Sequence, residues 1–534
     1  MTHSDVLIVG AGPTGLVLAL WLAKFGVKLR LIDKRAEPGA TSRALAVQAR
    51  TLELYRQLNV SDGAVKRGYR VPAANLWIRG HRKTRVVLEE LRGNLSPFSF
   101  LQILPQDEHE RLLIERLRAM GAAVERRVEL TAFEERGGKI IARLRGPDGE
   151  EQCEADYIAG CDGANSTVRQ IMRAGFRGRR RQRVFYVADV EGSGPALDGE
   201  LHLDLDEADF LGVFPLAERN CGRLIGAVSG ERAARAEQLT FDEVRERAIR
   251  NLKIEVRKVD WFSTYRFSHQ VTERFRKGRA FLLGDAAHVH SPVGGQGMNA
   301  GIGDAVNLAW KLASTLQGRA GDALLDTYEP ERMAFARVAA LADRAFTLGT
   351  AESALAGFVR TGLTPAALPV LAQVPTLREF MFRAASLVAT GYRHSRLSQG
   401  KAGAVRGGDR LPWVGPAPGV DNYAPLDAAC WQVHVYGAPR PDLVAWCDEH
   451  GLPLHVFGWR KEYERTGLAR DALYLMRPDT YVALADADGA AAAVDGYFKS
   501  RGVQPPPAPK GGEVSGDGIR AKVHILSAYQ RRRA

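Results

Sequence analysis

The stretch DVLIVGAGPTGLVLALWLAKFGVKLRLIDK, residues 5–34, constrains the fold more than any other part of this chain. DVLIV reads as a short buried strand of mainly branched residues. PTGLVLALWLAKFG has helical length and ends at Gly26, a good C-cap residue. VKLRLID reads as a second strand. Gly10, Gly12 and Gly15 stand between the first strand and the helix as G-x-G-x-x-G, and Asp33 closes the second strand. The glycine spacing alone is weak. With strand, helix and acid in place, it specifies a dinucleotide-binding βαβ unit. Gly10 suits the tight turn, Gly12 lets a pyrophosphate reach the amides at the helix start, and Gly15 lets the helix lie on the sheet. The helix start at Pro13 and Thr14 offers partial positive charge to phosphates. Asp33 can accept hydrogen bonds from a ribose diol. Which dinucleotide is bound stays open at this point.

Two further segments carry similar punctuation. Residues 149–176 read as a strand ending in DYIAG, a turn at Asp162-Gly163, and a short helix with Ser166 as its N-cap. Asp162 by itself suits a turn as well as it suits a ligand. Residues 281–310, FLLGDAAHVHSPVGGQGMNAGIGDAVNLAW, open as an apolar strand and close as an amphipathic helix. Over 298–313, Ile302, Ala305, Val306, Ala309, Leu312 and Ala313 form one apolar stripe, with Asp304, Asn307 and Lys311 on the other side. Gly301 and Gly303 each cost that helix about 1 kcal/mol against alanine. Such a cost suits a helix start that lies against something flat and bulky. The rival explanation is a metal held by His288 and His290. Their i, i+2 spacing puts them on opposite sides of an extended segment, and no third ligand is close, so no metal is assigned.

Composition bounds the rest. At 534 residues, with 45% apolar and 25% charged residues, the chain has room for two to four domains. No run of eighteen apolar residues points to a membrane span. The strand entered by Asp5 leaves no room for a signal peptide. The five scattered cysteines form no CxxC pair, and a reducing cytoplasm is the expected compartment. The net charge of +12 is partly local: RGRRRQR at 177–183 carries five arginines. A solvated loop explains that run, and a small phosphorylated ligand is the alternative. Nucleic acid is not expected as a partner, because no helix-turn-helix, zinc-finger or RNA-binding pattern accompanies the charge.

Together, GAGPTG at 10–15, DYIAGCDGANSTVR at 156–169 and GRAFLLGDAAHVHSPVGGQGMNAGIGDAVNLAWKL at 278–312 resemble the FAD-dependent aromatic hydroxylases, the single-component flavoprotein monooxygenases. SRALAVQARTLELY at 42–55, LPQDEHERLL at 104–113 and LLDTYEPER at 324–332 look like segments of the same family. The resemblance covers roughly residues 4–340. It implies that Gly10, Gly12, Pro13, Thr14 and Gly15 hold the FAD pyrophosphate, and Asp33 and Lys34 the adenosine end. Arg43 and Gln106 match positions lining the FAD site. Asp162 and Gly163 match a motif linked to both FAD and NAD(P)H. Asp285 matches the carboxylate that bonds a flavin-chain hydroxyl. Pro292, Gly294, Gly295, Gln296, Gly297, Met298 and Asn299 match the loop and helix start beside the isoalloxazine, where Pro292, Gly295 and His290 are the candidates nearest the chemistry.

The implied fold is α/β: a Rossmann-like FAD domain (1–70, 101–176 and 275–345) interleaved with a mostly antiparallel substrate sheet (71–100 and 177–274). Residues 346–396 read as a helical connector. Residues 400–500 resemble the thioredoxin-like domain of a subset of the family, and 501–534 read as a flexible tail. Phe210, Phe214, Tyr265 and Phe267 suggest an aromatic-lined substrate cavity. The implied reaction uses NADH or NADPH and O2 to hydroxylate a small aromatic substrate, phenolic or polyketide-like, through a C4a-hydroperoxyflavin. A homodimer is compatible with the family. No carboxylate clamp is assignable, which favours a bulky phenol over a benzoate. Epoxidation or another ring oxidation is the runner-up within the fold. The halogenase W-x-W-x-I-P and the Baeyer–Villiger signature are absent. A plain NAD-dependent dehydrogenase would explain residues 1–40 only. A non-catalytic flavin binder, or a basic nucleic-acid binder, would leave the three-motif combination unused.

Overall fold

The computed structural model describes residues 2–39, 44–88, 95–177, 183–204, 211–228, 235, 238–267, 270–289, 295–334, 336, 379, 382–383, 386–415, 421–505 and 524–525. Arg43, Phe210, His290, Pro292 and Gly294 lie outside these residues, as do the side chain of Phe267, most of the arginine run, most of the connector and most of the tail.

The first strand, Thr2–Val9, stands at the centre of a mainly parallel sheet. Leu29–Asp33 pairs parallel on one side, with Val124–Arg126 beyond it. Gly149–Gly160 pairs parallel on the other side, with Ala280–Leu282 beyond it. The chain thus leaves the first strand toward one edge and comes back on the opposite flank. Such a switch point opens a crevice beyond the carboxyl ends of the strands. Register aligns Val9 with Gly160 and Gly160 with Leu282. The three glycine-bearing loops therefore emerge side by side from neighbouring strands. Helix Pro13–Lys24, buried from Gly15 to Leu22, packs against helix Gln296–Leu316 and closes one face of the sheet.

A second sheet has the order 255–267, 183–193, 221–228, 211–215, 201–204, 73–78, 81–87, antiparallel except between 201–204 and 73–78. One face packs on helix Phe241–Leu252 through Val184, Tyr186, Ala188, Leu211, Val213 and Leu224. Sequence reading passed over this helix, although its signals are present. Thr240 and Glu243 form a capping box, and Phe241, Val244, Ala248 and Leu252 fall on one buried side.

The C-terminal unit carries its own sheet. Strand Gln432–Tyr436, helix Pro441–His450 and parallel strand Leu454–Phe457 come first. Antiparallel strands Leu473–Met476 and Val482–Asp486 and helix Ala491–Arg501 follow. On the other side of helix Gln296–Leu316 from its apolar stripe, Asp304, Asn307 and Lys311 are all buried. Lys311 Nζ donates to Glu331 (2.8 Å) and to Asn307 Oδ1 (2.8 Å). Glu331 also takes Arg477 of the C-terminal unit (2.8 and 3.0 Å). Arg477 in turn grips Asp479, which accepts Trp310 Nε1–H at 3.0 Å. Trp310 meets Trp431 edge-on at 5.6 Å. Asn307 and Lys311 are thereby joined to the C-terminal unit through Asp479 and Glu331, whereas Asp304 turns to His288 and Arg332.

Candidate functional site

The crevice is built by mutual close packing of the three loops. Gly10 has φ +101°, and a Cβ there would lie 2.4 Å from the Cys161 carbonyl oxygen and 2.8 Å from Asp162 Cα. No L side chain fits that turn. A Cβ on Gly15 would lie 2.0 Å from the Gly10 carbonyl oxygen, so the helix start packs directly on the glycine turn. Gly12 differs, because a Cβ there would meet nothing within 4 Å. Packing does not require glycine at 12, and the backbone there is open. Asp33 Oδ2 accepts the Ala11 N–H (2.8 Å) and Oδ1 the Arg35 N–H (2.8 Å), so this carboxylate also braces the glycine turn. Lys34 points outward, with its ammonium 4.0 Å from Glu129.

The second loop is capped from both sides. Ser166 Oγ accepts the Arg169 N–H (3.0 Å), and Asp162 Oδ2 accepts those of Thr167 (2.7 Å) and Val168 (3.1 Å). Helix Thr167–Met172 starts as the sequence suggested. Asp162 Oδ1 is buried with no partner, and burial pushes this carboxyl above its ordinary value. An acceptor left over at the carboxyl end of a central strand fits a ligand hydroxyl. Arg169 donates to Ala164 O (2.6 Å) and to Ala286 O (3.0 Å), tying the second loop to the third.

In the third loop, a Cβ on Gly301 would lie 2.3 Å from Thr14 Oγ1 and 3.0 Å from Gly284 Cα. On Gly303 it would lie 3.0 Å from the Arg332 guanidinium. These two glycines therefore serve helix packing and Arg332, which corrects the reading that they lie against a bulky ligand. Asp285 is exposed at the 3-10 turn Gly284–Ala286. His288 is a core histidine: its Nε2 meets Asp304 Oδ2 at 2.6 Å, both side chains being fully buried. Asp304 also takes the Gly284 N–H (2.9 Å) and Arg332 Nε (2.5 Å). Burial alone would raise the Asp304 carboxyl, but His288 and Arg332 override it and pull it down to about 2. Among the described residues, no group of three His, Cys, Asp or Glu could hold a metal.

Gly295, at φ +61°, caps the start of helix Gln296–Leu316. A Cβ on Gly297 would meet nothing within 4 Å, again an open backbone. The first-turn amides of 296–298 are the donors such a helix start presents. The Asn299 side chain is fully engaged within the chain. Its Oδ1 accepts Gln48 N–H (3.0 Å) and Thr51 Oγ1–H (2.7 Å), and its Nδ2 donates to Ala46 O (2.9 Å) and Gly295 O (2.8 Å). The side chain is spent on protein and holds the glycine loop to residues 46–51. Replacing Asn299 with leucine should cost about 1–3 kcal/mol by stranding those partners. Denaturant unfolding of the FAD-loaded protein checks this. Met298 Sδ stands 3.3 Å from His109 Nδ1, whose Nε2 meets Tyr55 OH at 2.6 Å. Gln106 is tied to Ala44 N (3.3 Å) and Glu110 (2.8 Å). Sequence reading missed Gln48, Thr51, His109 and Arg332, whose partners are far away in the chain.

The second sheet turns its other face to this crevice. Leu201, Leu203, Ala74, Phe214 and Leu216 pack with Leu45, Ala46, Tyr69, Leu101 and Ile103 of the first domain. Ala46 Cβ is 3.0 Å from where a Gly295 Cβ would stand. Paired residues share a face, so the register extends this wall. Phe214 pairs with Arg223, Arg223 with Asp189, and Asp189 with Trp261. Ile225, Val187 and Ser263 form the next row, and Phe185 and Tyr265 stack beyond at 6.0 Å. Arg223 is buried and closed on Asp189 by two 2.6 Å bonds.

Comparison with known proteins agrees with this geometry. Residues 3–343 match the family described as FAD binding domain. A flavin-dependent monooxygenase of Mycobacteroides abscessus is 30% identical over 499 residues, covering 91% of this chain and 97% of that enzyme. The 6-methylpretetramide 4-monooxygenase of Streptomyces rimosus is 35% identical over 376 residues, or 68% of this chain and 64% of that enzyme. The solved anhydrotetracycline hydroxylase of Streptomyces rimosus superposes with TM-score 0.75 at 27% identity, covering 95% of this chain and all of that one. The chain belongs to this FAD-binding family and is an FAD-dependent aromatic monooxygenase. Among the described residues, no helix is long and apolar enough to cross a membrane.

Proposed function

We propose that this enzyme hydroxylates a fused-ring, polyketide-like phenol with NAD(P)H and O2 as co-substrates. The observation that carries the substrate class is the wall of the second sheet. It is apolar across Leu201, Leu203, Phe214, Ile225, Val187 and Tyr265, and among its described side chains the cation Arg223 is already neutralised by Asp189. A small benzoate would find no free cation among the described side chains of that wall, whereas a broad aromatic face gains from apolar burial.

Bound FAD supplies the electron and oxygen chemistry. Gly12 and Gly297 leave the backbone open to it, Asp162 Oδ1 and Asp285 offer acceptors, and the first-turn amides of 296–298 offer donors. The second sheet closes over the crevice and excludes water, which limits unproductive loss of oxidant. On this reading residues 1–70, 101–176 and 275–345 hold the cofactor, and 71–100 and 177–274 cover the substrate. Residues 400–500 form a thioredoxin-like buttress. The protein works in the cytoplasm on a small aromatic molecule. The relatives' names support the substrate class: a pretetramide monooxygenase and an anhydrotetracycline hydroxylase.

The test is a panel of simple benzoates, phenols and polyketide aromatics offered to FAD-loaded protein. Polyketide aromatics should stimulate NAD(P)H oxidation and gain one oxygen by mass, as a hydroxyl rather than an epoxide. Stimulation by benzoates alone would overturn the substrate class.

A further inference from the structure

A second cavity, of about 980 Å³, opens far along the chain from the glycine loops, between residues 388–394, residues 404–415 and helix Lys461–Arg465. Val388, Val405, Trp413 and Val414 are buried and give it an apolar floor. Among the described residues, five arginines line it against three carboxylates. Three of those arginines are already engaged. Arg393 is held by Asp409 at 2.5 and 3.0 Å. Arg410 is held by Glu53 at 2.9 Å. Arg383 stands 3.8 Å from Glu379. Arg460 and Arg465 are exposed, and among the described residues neither has a carboxylate within ion-pair distance. His394 stands in the same lining.

A volume of this size suits a nucleotide-sized molecule. An apolar floor beside uncommitted guanidinium groups suits a planar body that carries phosphate. Among the described residues, none of the cofactor or substrate residues assigned above lines this cavity. We propose that it binds a phosphate-bearing, nucleotide-sized ligand, with Arg460 and Arg465 on the phosphate and the Trp413 side of the floor against the ring.

Calorimetric titration of ADP into FAD-loaded protein, without NAD(P)H, tests this. Loading with FAD keeps ADP out of the first site. One saturable site is expected, with inorganic phosphate competing. The double substitution Arg460→Ala and Arg465→Ala should weaken ADP binding by at least roughly tenfold. FAD content and melting temperature should not move, because both side chains are exposed. Arg111→Ala, at an exposed arginine paired with Asp107, should change nothing. Absence of saturable heat would overturn the proposal, as would equal ADP affinity in the double variant. Oxygenation is not read, so neither result touches the assigned reaction.

Discussion

Protein carrying Gly12→Leu should fold with its helix content and cooperative melt intact, and it should purify without colour. The backbone at Gly12 has φ −75°, ordinary for any residue, and a Cβ there meets no protein atom within 4 Å. The folded chain therefore tolerates the side chain. The pyrophosphate does not, because leucine would occupy the approach to the first-turn amides of helix Pro13–Lys24. FAD affinity should fall by at least roughly 100-fold, or about 2.7 kcal/mol. Equilibrium dialysis against FAD, with circular dichroism as the folding control, measures both halves. Gly10→Ala is the contrasting variant: its Cβ would strike the Cys161 carbonyl, so that protein should be recovered misfolded. A yellow Gly12→Leu protein with undiminished FAD content would place the cofactor elsewhere.

The second large effect is expected at the domain junction. Glu331→Ala removes the carboxylate shared by Lys311, Arg477 and Asn307, and leaves two cations buried side by side. Breaking a buried pair in this way costs about 3–5 kcal/mol, which should appear as a lower melting temperature and as separation of one transition into two. Acid should act through the same group. Burial alone would raise the Glu331 carboxyl, but Arg477 and Lys311 outweigh it and hold it well below the usual carboxylate range. A carboxylate depressed by folding contributes stability above its unfolded value of 4.5, and that contribution is lost as pH falls further. Wild-type protein should therefore lose stability steeply below pH 4.5, and Glu331→Gln should show a flatter slope there. Equal slopes in urea unfolding from pH 5 to pH 3 would count against the junction as an electrostatic latch.

The βαβ unit was legible because its signals are local: strand, glycine spacing, helix and Asp33 fall within thirty residues. The Ser166 cap was legible for the same reason. Asp304, Asn307 and Lys311 were not. Periodicity separates polar from apolar faces, but a polar face packed on Glu331 and Arg477 looks the same as one in water. Gly301 and Gly303 were read as making room for a ligand, whereas Thr14 and Arg332 occupy that space. The hold of the Asn299 side chain on Gln48 and Ala46 was likewise not legible. Contacts that join residues hundreds of positions apart leave no trace in a window of twenty.

The interlock of Thr14, Gly284 and Gly301 leaves no space for even one methyl group, whereas the rows led by Phe214 and Ile225 belong to a different sheet with its own supporting helix. Tailoring such a catalyst to a new ring system can therefore proceed by exchanging wall side chains one row at a time, with the flavin cradle left as it is.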